Sequence, residues 1–345
     1  MQIKLNFNSR DRVNRRHASH PVPEPVGRPR SRRAAAPGSD TRRSDPEAAR
    51  RTGWSRVEEV FQELDQLVGL REVKETLREI AAYVQIQKQR QQEGLFSDPM
   101  TLHMVFKGGP GTGKTTVARL AGKLFKELGV LSKGHLVEVD RADLVGEYIG
   151  HTAQKTKEQL KRAAGGILFV DEAYSLARGG DRDFGKEATD MLVKYMEDWR
   201  EDLIVILAGY THEMEVFMSS NPGLKSRFPL QIEFPDYTIM ELLAIARLML
   251  DQRQYLLEEE AWDELERSLR RAILQGQAKA GNGRLVRNMI EKAIRRQAVR
   301  LVNQPRLTRE ELMMIRKSDL AGENHSEVEI PEKKHVSTIA RKAAE

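Results

Sequence analysis

The run Gly108-Gly109-Pro110-Gly111-Thr112-Gly113-Lys114-Thr115, followed by Thr116, decides the fold of this 345-residue chain. It matches the phosphate-binding loop pattern G-x-x-x-x-G-K-[ST] at every defined position. Glycines let successive backbone N–H groups turn towards phosphate oxygens, a lysine adds a positive charge, and a hydroxyl can bind Mg²⁺. The stretch therefore predicts a site for ATP or a related triphosphate, with Lys114 on the β- and γ-phosphates and Thr115 on the metal.

The segments on either side of this loop fit the same interpretation. The apolar run before it, residues 102–106, predicts a short buried strand, and apolar residues at helical spacing from Val117 to Leu128 predict a helix after it. Strand, loop and helix then follow in the order that a phosphate-binding loop requires. A glycine-rich turn between two core elements is the alternative, and these flanks argue against it.

A second apolar strand ends in two acidic residues. Residues 166–170 form a continuous apolar run that leads directly into Asp171 and Glu172. In a parallel sheet, the carboxyl ends of the strands open into the active site. Asp171 would then hold Mg²⁺ through water, and Glu172 would polarise the water that attacks the γ-phosphate. The alternative is an acidic pair that only caps the next helix.

Predicted strands and helices alternate from residue 104 to residue 208, which is the pattern of an α/β fold with a doubly wound parallel sheet. After Phe234 the sequence becomes helical, and the run Thr238-Ile239-Met240-Glu241 predicts a capping box that opens a helix. We predict a basic disordered arm over residues 1–52, an α/β nucleotide-binding domain over 53–235, a helical lid over 236–321 and a polar tail over 322–345.

The positive charge of the chain is concentrated in the predicted arm. Residues 1–52 contain 13 Lys and Arg against 5 Asp and Glu, a balance of 13 − 5 = +8, so the rest of the chain sums to 6 − 8 = −2. Such an arm could bind nucleic acid, anionic lipid or an acidic protein, could serve as an organelle transit peptide, or could be a solvated tail.

Composition excludes several classes of protein. The chain has no cysteine, which excludes disulfides, thiolate catalysis and zinc–thiolate sites and favours a cytoplasmic location. Its longest apolar runs, such as residues 203–208, are far shorter than the roughly 20 residues of a membrane-spanning helix. We therefore expect no membrane span.

These motifs resemble those of the AAA+ ATPases, and the match extends over most of residues 55 to 320. More narrowly, residues 133–156 and 171–180 are similar to a branch of that family with sporulation and red-type Rubisco activase members. The resemblance implies an α/β P-loop NTPase domain followed by a small all-helical lid, and a homo-oligomeric ring, a hexamer, that uses ATP and Mg²⁺ to act on a protein client.

The resemblance also implies roles for residues outside the phosphate loop. Tyr148, Ile149 and Gly150 occupy the place of a pore loop that grips polypeptide, and residues 178–184 that of a second such loop. Arg227 occupies the place of an arginine finger, which acts in the active site of a neighbouring subunit.

Two positions keep alternatives open. The family usually has a polar residue at the end of the fourth strand, whereas this chain offers either Tyr210 or Thr211 to contact the attacking water. In the lid, the resemblance gives the second sensor position to Arg284, and Arg287 lies one helical turn away.

The turn that contains Val68 and Gly69 is expected beside the nucleotide base. It joins two predicted amphipathic helices that precede the first strand and can pack at the edge of the sheet.

Three functions remain possible at this stage. The first is a protein-remodelling ATPase of the sporulation type, the second is a Rubisco activase, and the third is a nucleic-acid motor or loader. Helicases and initiators also use phosphate loops and rings, so the active site does not exclude the third. The net charge of the body argues against it, because a nucleic-acid motor needs a basic face.

Overall fold

The computed structural model describes residues 46–97, 101–148, 150–178, 184–199, 202–220, 222–276 and 281–321. Its first part is built on a five-stranded parallel sheet with the strand order β2-β3-β4-β1-β5. The strands are β1 (Met104–Gly108), β2 (Leu136–Val139), β3 (Ile167–Val170), β4 (Ile204–Gly209) and β5 (Leu230–Phe234). The three central strands are buried along their whole length, as expected where helices cover both faces of a parallel sheet.

Helices pack on the two faces of the sheet and form a separate apolar core on each. The first core contains residues from α1 (Pro46–Asp65), α2 (Arg71–Gln92) and α3 (Lys114–Glu127). The second contains residues from α4 (Arg141–Leu144), α5 (His151–Ala163), a 3₁₀ turn (Ala173–Ala177), α6 (Gly185–Asp198), α7 (Thr211–Ser220) and α8 (Pro222–Arg227). Successive strand residues point to opposite faces, so Phe106 belongs to the first core and Val105 to the second.

The register of the sheet brings three chain segments to one edge. In the ladder, β4 pairs with β1 on one side and with β3 on the other. The phosphate loop after β1, the acidic pair after β3 and Tyr210 after β4 therefore leave the sheet side by side. This carboxyl edge is where α/β sheets of this kind bind their ligands.

A second helical unit follows β5 and has its own apolar core. Its elements are α9 (Ile239–Gln252), β6 (Leu256–Leu257), α10 (Glu259–Leu274), α11 (Asn282–Leu301), α12 (Arg309–Met313), β7 (Met314–Ile315) and α13 (Lys317–Ala321). The capping box predicted for the start of α9 is confirmed, because Thr238 accepts from the N–H of Glu241 while the Glu241 carboxylate accepts from the N–H of Thr238. The predicted α/β fold with a lid is confirmed, and the lid also contains one short parallel ladder between β6 and β7.

The first helix starts earlier than the sequence predicted. The predicted disordered arm ends at residue 52, whereas α1 begins at Pro46, so residues 46–52 of that arm are helical. Proline is well tolerated in the first turn of a helix, where its missing N–H would have no partner. The remaining part of the predicted arm, residues 1–45, and the predicted tail from residue 322 lie outside the described residues.

Among the described residues, no helix combines the length and the apolar character that crossing a bilayer requires.

Candidate nucleotide site

The phosphate loop turns between β1 and α3, with three of its four glycines in backbone conformations that other residues rarely adopt. The φ angles of Gly108, Gly111 and Gly113 are +152°, +72° and +98°. Lys114 is the first residue of α3, and its Nζ donates to the carbonyl oxygens of Gly108 at 2.9 Å and Gly109 at 2.7 Å. The helix N-terminus and the turned loop together form a site for an anion.

A cleft of about 340 Å³ opens above this loop. Its phosphate end is lined by Gly108, Pro110, Gly111, Gly113, Lys114, Thr115, Thr116, Asp171 and Glu172. The other two predicted loop residues, Gly109 and Thr112, lie outside the described lining of the cleft. Thr112 is buried and donates from Oγ1 to the carbonyl of Gly109, 2.9 Å away.

Charges of opposite sign meet in the cleft. Burial lowers the pKa of Lys114, and the carboxylate of Asp171 opposes this shift. A bound triphosphate would also raise the pKa of Lys114, because a nearby negative charge favours the protonated amine. The phosphate end of the cleft therefore combines the half-buried Lys114 cation with two carboxylates, which suits the binding of a metal-bound anion.

The two acidic residues are held differently although they are adjacent. Asp171 continues the sheet, since its N–H donates to the carbonyl of Val139 at 2.9 Å, and its Oδ1 accepts from the N–H of Glu172 at 3.0 Å. Glu172 has φ of +47° and an exposed side chain in the cleft. This left-handed backbone is costly for a non-glycine residue and turns the chain sharply after β3.

Aromatic rings border the carboxylate of Glu172. Tyr174 is buried, with its ring 6.0 Å from that of Tyr210 and 4.7 Å from the guanidinium of Arg178. Burial, followed by the negative charge of Glu172, raises the pKa of Tyr174 to about 12. Tyr174 therefore remains a protonated hydrogen-bond donor beside Glu172, and sequence reasoning missed it.

The end of β4 distinguishes the two candidate sensing residues by position. Gly209 and Tyr210 line the cleft, whereas Thr211 starts α7 and lies outside the described lining. A Cβ on Gly209 would lie 2.7 Å from two ring carbons of Tyr174, so glycine permits this close contact. Tyr210 is thus the better placed of the two.

The far end of the cleft is apolar. It is lined by Leu67, Val68, Leu70, Tyr237, Ile245, Leu248 and Met249. Gly69 lies against the lid instead, because a Cβ there would come within 2.3 Å of Glu241 Oε1. In the predicted turn, Val68 thus faces the cleft, and Gly69 allows α9 of the lid to pack closely against the turn. The lid residues of this wall were missed, since their sequence spacing is that of any amphipathic helix.

Two lid arginines reach the cleft. Arg284 and Arg287 both line it, together with Gly283 at the start of α11. The alternative between them therefore remains open, because each could contact a phosphate.

Arg227 lies away from this cleft. It ends α8 and lines a second cavity of about 410 Å³, together with His103 and Glu197. Its Nη1 donates to the carbonyl of Gly223 at 3.3 Å, and its Nε lies 3.5 Å from Glu197 Oε2.

The predicted pore-loop residues lie between α4 and α5. The side chain of Tyr148 is 66% exposed and contacts the ring of His151 edge-on at 5.4 Å. Gly150 has φ of +84° with open space around the position of a Cβ. Ile149 lies outside the described residues, as do residues 179–183 of the predicted second pore loop.

The described residues fit a magnesium nucleotide rather than a metal held by protein alone. Thr115 and Asp171 offer oxygen ligands in the same cleft as Lys114. In the described part of the chain, no group of three or more His, Asp or Glu is placed to hold a metal ion. Mg²⁺ commonly takes one or two protein oxygens and completes its shell with phosphates and water, which matches this set.

The fold and this cleft define a P-loop nucleoside triphosphatase with a C-terminal lid. Residues 104–236 match the family model "ATPase family associated with various cellular activities (AAA)", and residues 238–330 match "AAA lid domain". Stage V sporulation protein K of Bacillus subtilis is 54% identical over 266 residues, which are 77% of this chain and 83% of that protein. The chain belongs to the AAA family of ATPases.

Two further similarities agree with that assignment. The chloroplastic ribulose bisphosphate carboxylase/oxygenase activase of Cyanidioschyzon merolae is 46% identical over 270 residues, which cover 77% of this chain and 92% of that protein. A solved structure that describes the basis of katanin self-assembly covers 75% of this chain and 82% of its own, with a TM-score of 0.50 and 20% identity. The katanin structure supports the fold alone.

Proposed function

We propose that this ATPase assembles into a homo-oligomeric ring, a hexamer, and remodels a protein client by gripping it with Tyr148. The observation that carries the proposal is the position of Arg227 outside its own nucleotide cleft. An arginine that contributes nothing to its own site can complete the site of a second copy. The sequence similarity to stage V sporulation protein K favours a role of the sporulation type.

Within one site, each polar residue has a separate task. Lys114 and the loop N–H groups bind phosphate oxygens. Thr115 would bind Mg²⁺ directly and Asp171 would hold it through water, and the metal would neutralise charge on the phosphates. Glu172 accepts a proton from the attacking water, while Tyr174 donates a hydrogen bond that keeps its carboxylate oriented. Tyr210, which borders the same space, is the residue we assign to sensing the γ-phosphate.

Arg227 of a second copy would add a further positive charge to this site. An arginine finger stabilises the transferring phosphoryl group and is typically worth about 10³–10⁵ in rate. Its contacts with Glu197 and Gly223 are weak, at 3.5 Å and 3.3 Å, so the guanidinium can exchange them for a neighbouring phosphate at small cost.

Tyr148 is suited to contact with an unfolded polypeptide. Its ring is large and amphipathic, which lets it hold an extended chain without reading a particular sequence. Gly150 beside it has the backbone freedom that a moving loop needs.

Activation of Rubisco is the second candidate, and the similarity to the Cyanidioschyzon merolae activase favours it. A nucleic-acid role would depend on residues 1–45, which lie outside the described residues, and stays a prediction, as does a cytoplasmic location. Stimulation of the ATPase by a sugar bisphosphate would favour the Rubisco candidate over the sporulation type.

The ATPase rate per protomer, measured against protein concentration, tests the ring. We expect the wild-type rate to rise with concentration and the Arg227→Ala rate to stay low throughout. Lys225→Ala is the matched control, because Lys225 is an exposed cation on the same helix. A wild-type rate that does not change with concentration in a monomer, or full activity in Arg227→Ala, would contradict the proposal.

A further inference from the structure

Three successive carbonyl groups of the phosphate loop are hydrogen-bonded from the lid side. The donors are Asn282 Nδ2 to Pro110 O at 3.3 Å, the Gly283 N–H to Gly111 O at 3.1 Å, and the Tyr237 hydroxyl to Thr112 O at 3.0 Å. Tyr237 directly precedes Thr238, the N-cap of α9, and the other two donors open α11. The back of the loop is therefore bonded to the lid at three consecutive peptides.

These bonds determine where the loop N–H groups point. A peptide unit is planar, and its C=O and the following N–H point in opposite directions. Holding the carbonyls of Pro110, Gly111 and Thr112 towards the lid thus directs the N–H groups of the next residues, 111 to 113, away from it. In loops of this kind, successive N–H groups turned to one side form the cradle for phosphate oxygens.

The approach of lid and loop is close enough to need glycine. A Cβ on Gly111 would lie 2.4 Å from the carbonyl oxygen of Gly281 and 2.9 Å from the backbone nitrogen of Arg284. A Cβ on Gly109 would lie 2.7 Å from Asp236 Oδ1. The contact is therefore made by backbone as well as by side chains.

Asn282 is the residue that joins these parts. Its Nδ2 also donates to Asp236 Oδ1 at 2.8 Å, and its Oδ1 accepts from the N–H of Tyr237 at 3.0 Å. It is 2% exposed and has φ of +38°. Asparagine offers both donors and an acceptor on one short side chain and tolerates a left-handed backbone better than most residues.

We propose that Asn282 and Tyr237 are positioning residues that orient the phosphate-binding N–H groups from behind, so that nucleotide affinity depends on docking of the lid. Asn282 acts without touching the nucleotide, because it lies outside the described lining of the cleft. By linkage, phosphate binding holds the lid in its docked position to the same extent. Arg284 and Arg287 differ from this pair, since they face the ligand itself.

The test measures the dissociation constant of ADP by calorimetry in Tyr237→Phe and Asn282→Gly. Tyr237→Phe keeps the ring in the cleft wall and removes the hydroxyl alone, so we expect affinity to fall about 3- to 10-fold, the effect of one hydrogen bond. Asn282→Gly removes the side chain and suits φ of +38°, so it avoids backbone strain. It loses several bonds, and we expect a fall of more than about 10-fold.

Tyr195→Phe is the matched control. Tyr195 lies on α6, packs against Trp199 just after that helix and lies outside the described lining of the cleft, so its variant should bind ADP with wild-type affinity. In steady-state assays, KM for ATP should rise in Tyr237→Phe with kcat nearly kept, because the loop binds the ground state and the transition state alike.

A purely structural role predicts a different result. It would reduce the fraction of protein that binds ADP, or the melting temperature, without changing the dissociation constant of the folded fraction. Unchanged ADP affinity in folded Tyr237→Phe, or in folded Asn282→Gly, would overturn the proposal.

Discussion

His103 makes the stability of the sheet sensitive to acid. It precedes β1, is 3% exposed, and its Nδ1 accepts from the N–H of Val205 at 3.0 Å. The other ring nitrogen faces the carbonyl of Met196, and the ring lies 5.9 Å from that of Phe228, next to Arg227. Because Nδ1 must remain an acceptor, the folded protein requires the neutral imidazole.

Burial lowers the pKa of His103 from 6.5 to about 4. As the pH falls below 6.5, the unfolded chain binds a proton that the folded chain does not, so the free energy of unfolding decreases. At about 1.4 kcal/mol per pH unit, this single group should remove about 2 kcal/mol between pH 7 and pH 5, and more towards pH 4. Above pH 7 the effect should vanish.

Urea denaturation at pH 7 and pH 5 measures this loss in wild type and in His103→Gln. Between pH 7 and pH 5, the free energy of unfolding should decrease by about 2 kcal/mol less in His103→Gln than in wild type, whatever the stability of the variant at pH 7. His212→Gln, which removes an exposed imidazole on α7, is the matched control. Its free energy of unfolding should decrease between pH 7 and pH 5 as much as that of wild type. Equal decreases in wild type and His103→Gln would show that His103 is not the source of the acid sensitivity.

Two further predictions concern the loop glycines and the exposed tyrosine. Gly111→Ala should abolish nucleotide binding measured by calorimetry, because its Cβ would lie 2.4 Å from the carbonyl of Gly281. Gly94 has a similar φ of +70°, but there is open space around the position of a Cβ, so Gly94→Ala should still bind nucleotide. Loss of nucleotide binding in both variants would indicate that backbone strain alone, and not the contact with Gly281, causes the loss. The Glu172→Gln variant should retain ATP and hold the client. In that background, Tyr148→Phe should still co-purify with the client and Tyr148→Ala should not. Equal recovery of the client with both variants would show that Tyr148 does not hold it.

The sequence could predict the parts of the site that are contiguous in the chain. The phosphate loop and the pair Asp171 and Glu172 each follow an apolar strand, and the order of strands and helices was enough to predict that they meet at one edge of a parallel sheet. The capping box at Thr238 was predictable for the same reason, since its residues lie within one helical turn.

The contribution of the lid depends on tertiary contacts that no local pattern reveals. Asn282 and Pro110 are 172 residues apart, and the hydrogen bond between them forms only when the lid folds back on the loop. Tyr174 was missed because its relation to Glu172 depends on the sharp turn after β3. The choice of Tyr210 over Thr211 likewise needed the point at which β4 ends and α7 begins.

A mixture of two inactive variants tests the shared active site most directly. Glu172→Gln keeps Arg227 but cannot activate water, and Arg227→Ala keeps Glu172 but offers no finger to a neighbour. If Arg227 acts between copies, ATPase activity should return on mixing, with roughly a quarter of the sites complete in randomly mixed rings at equal amounts. Mixtures that stay as inactive as the separate variants, while wild-type protein is active under the same conditions, would show that Arg227 does not act in the site of a second copy.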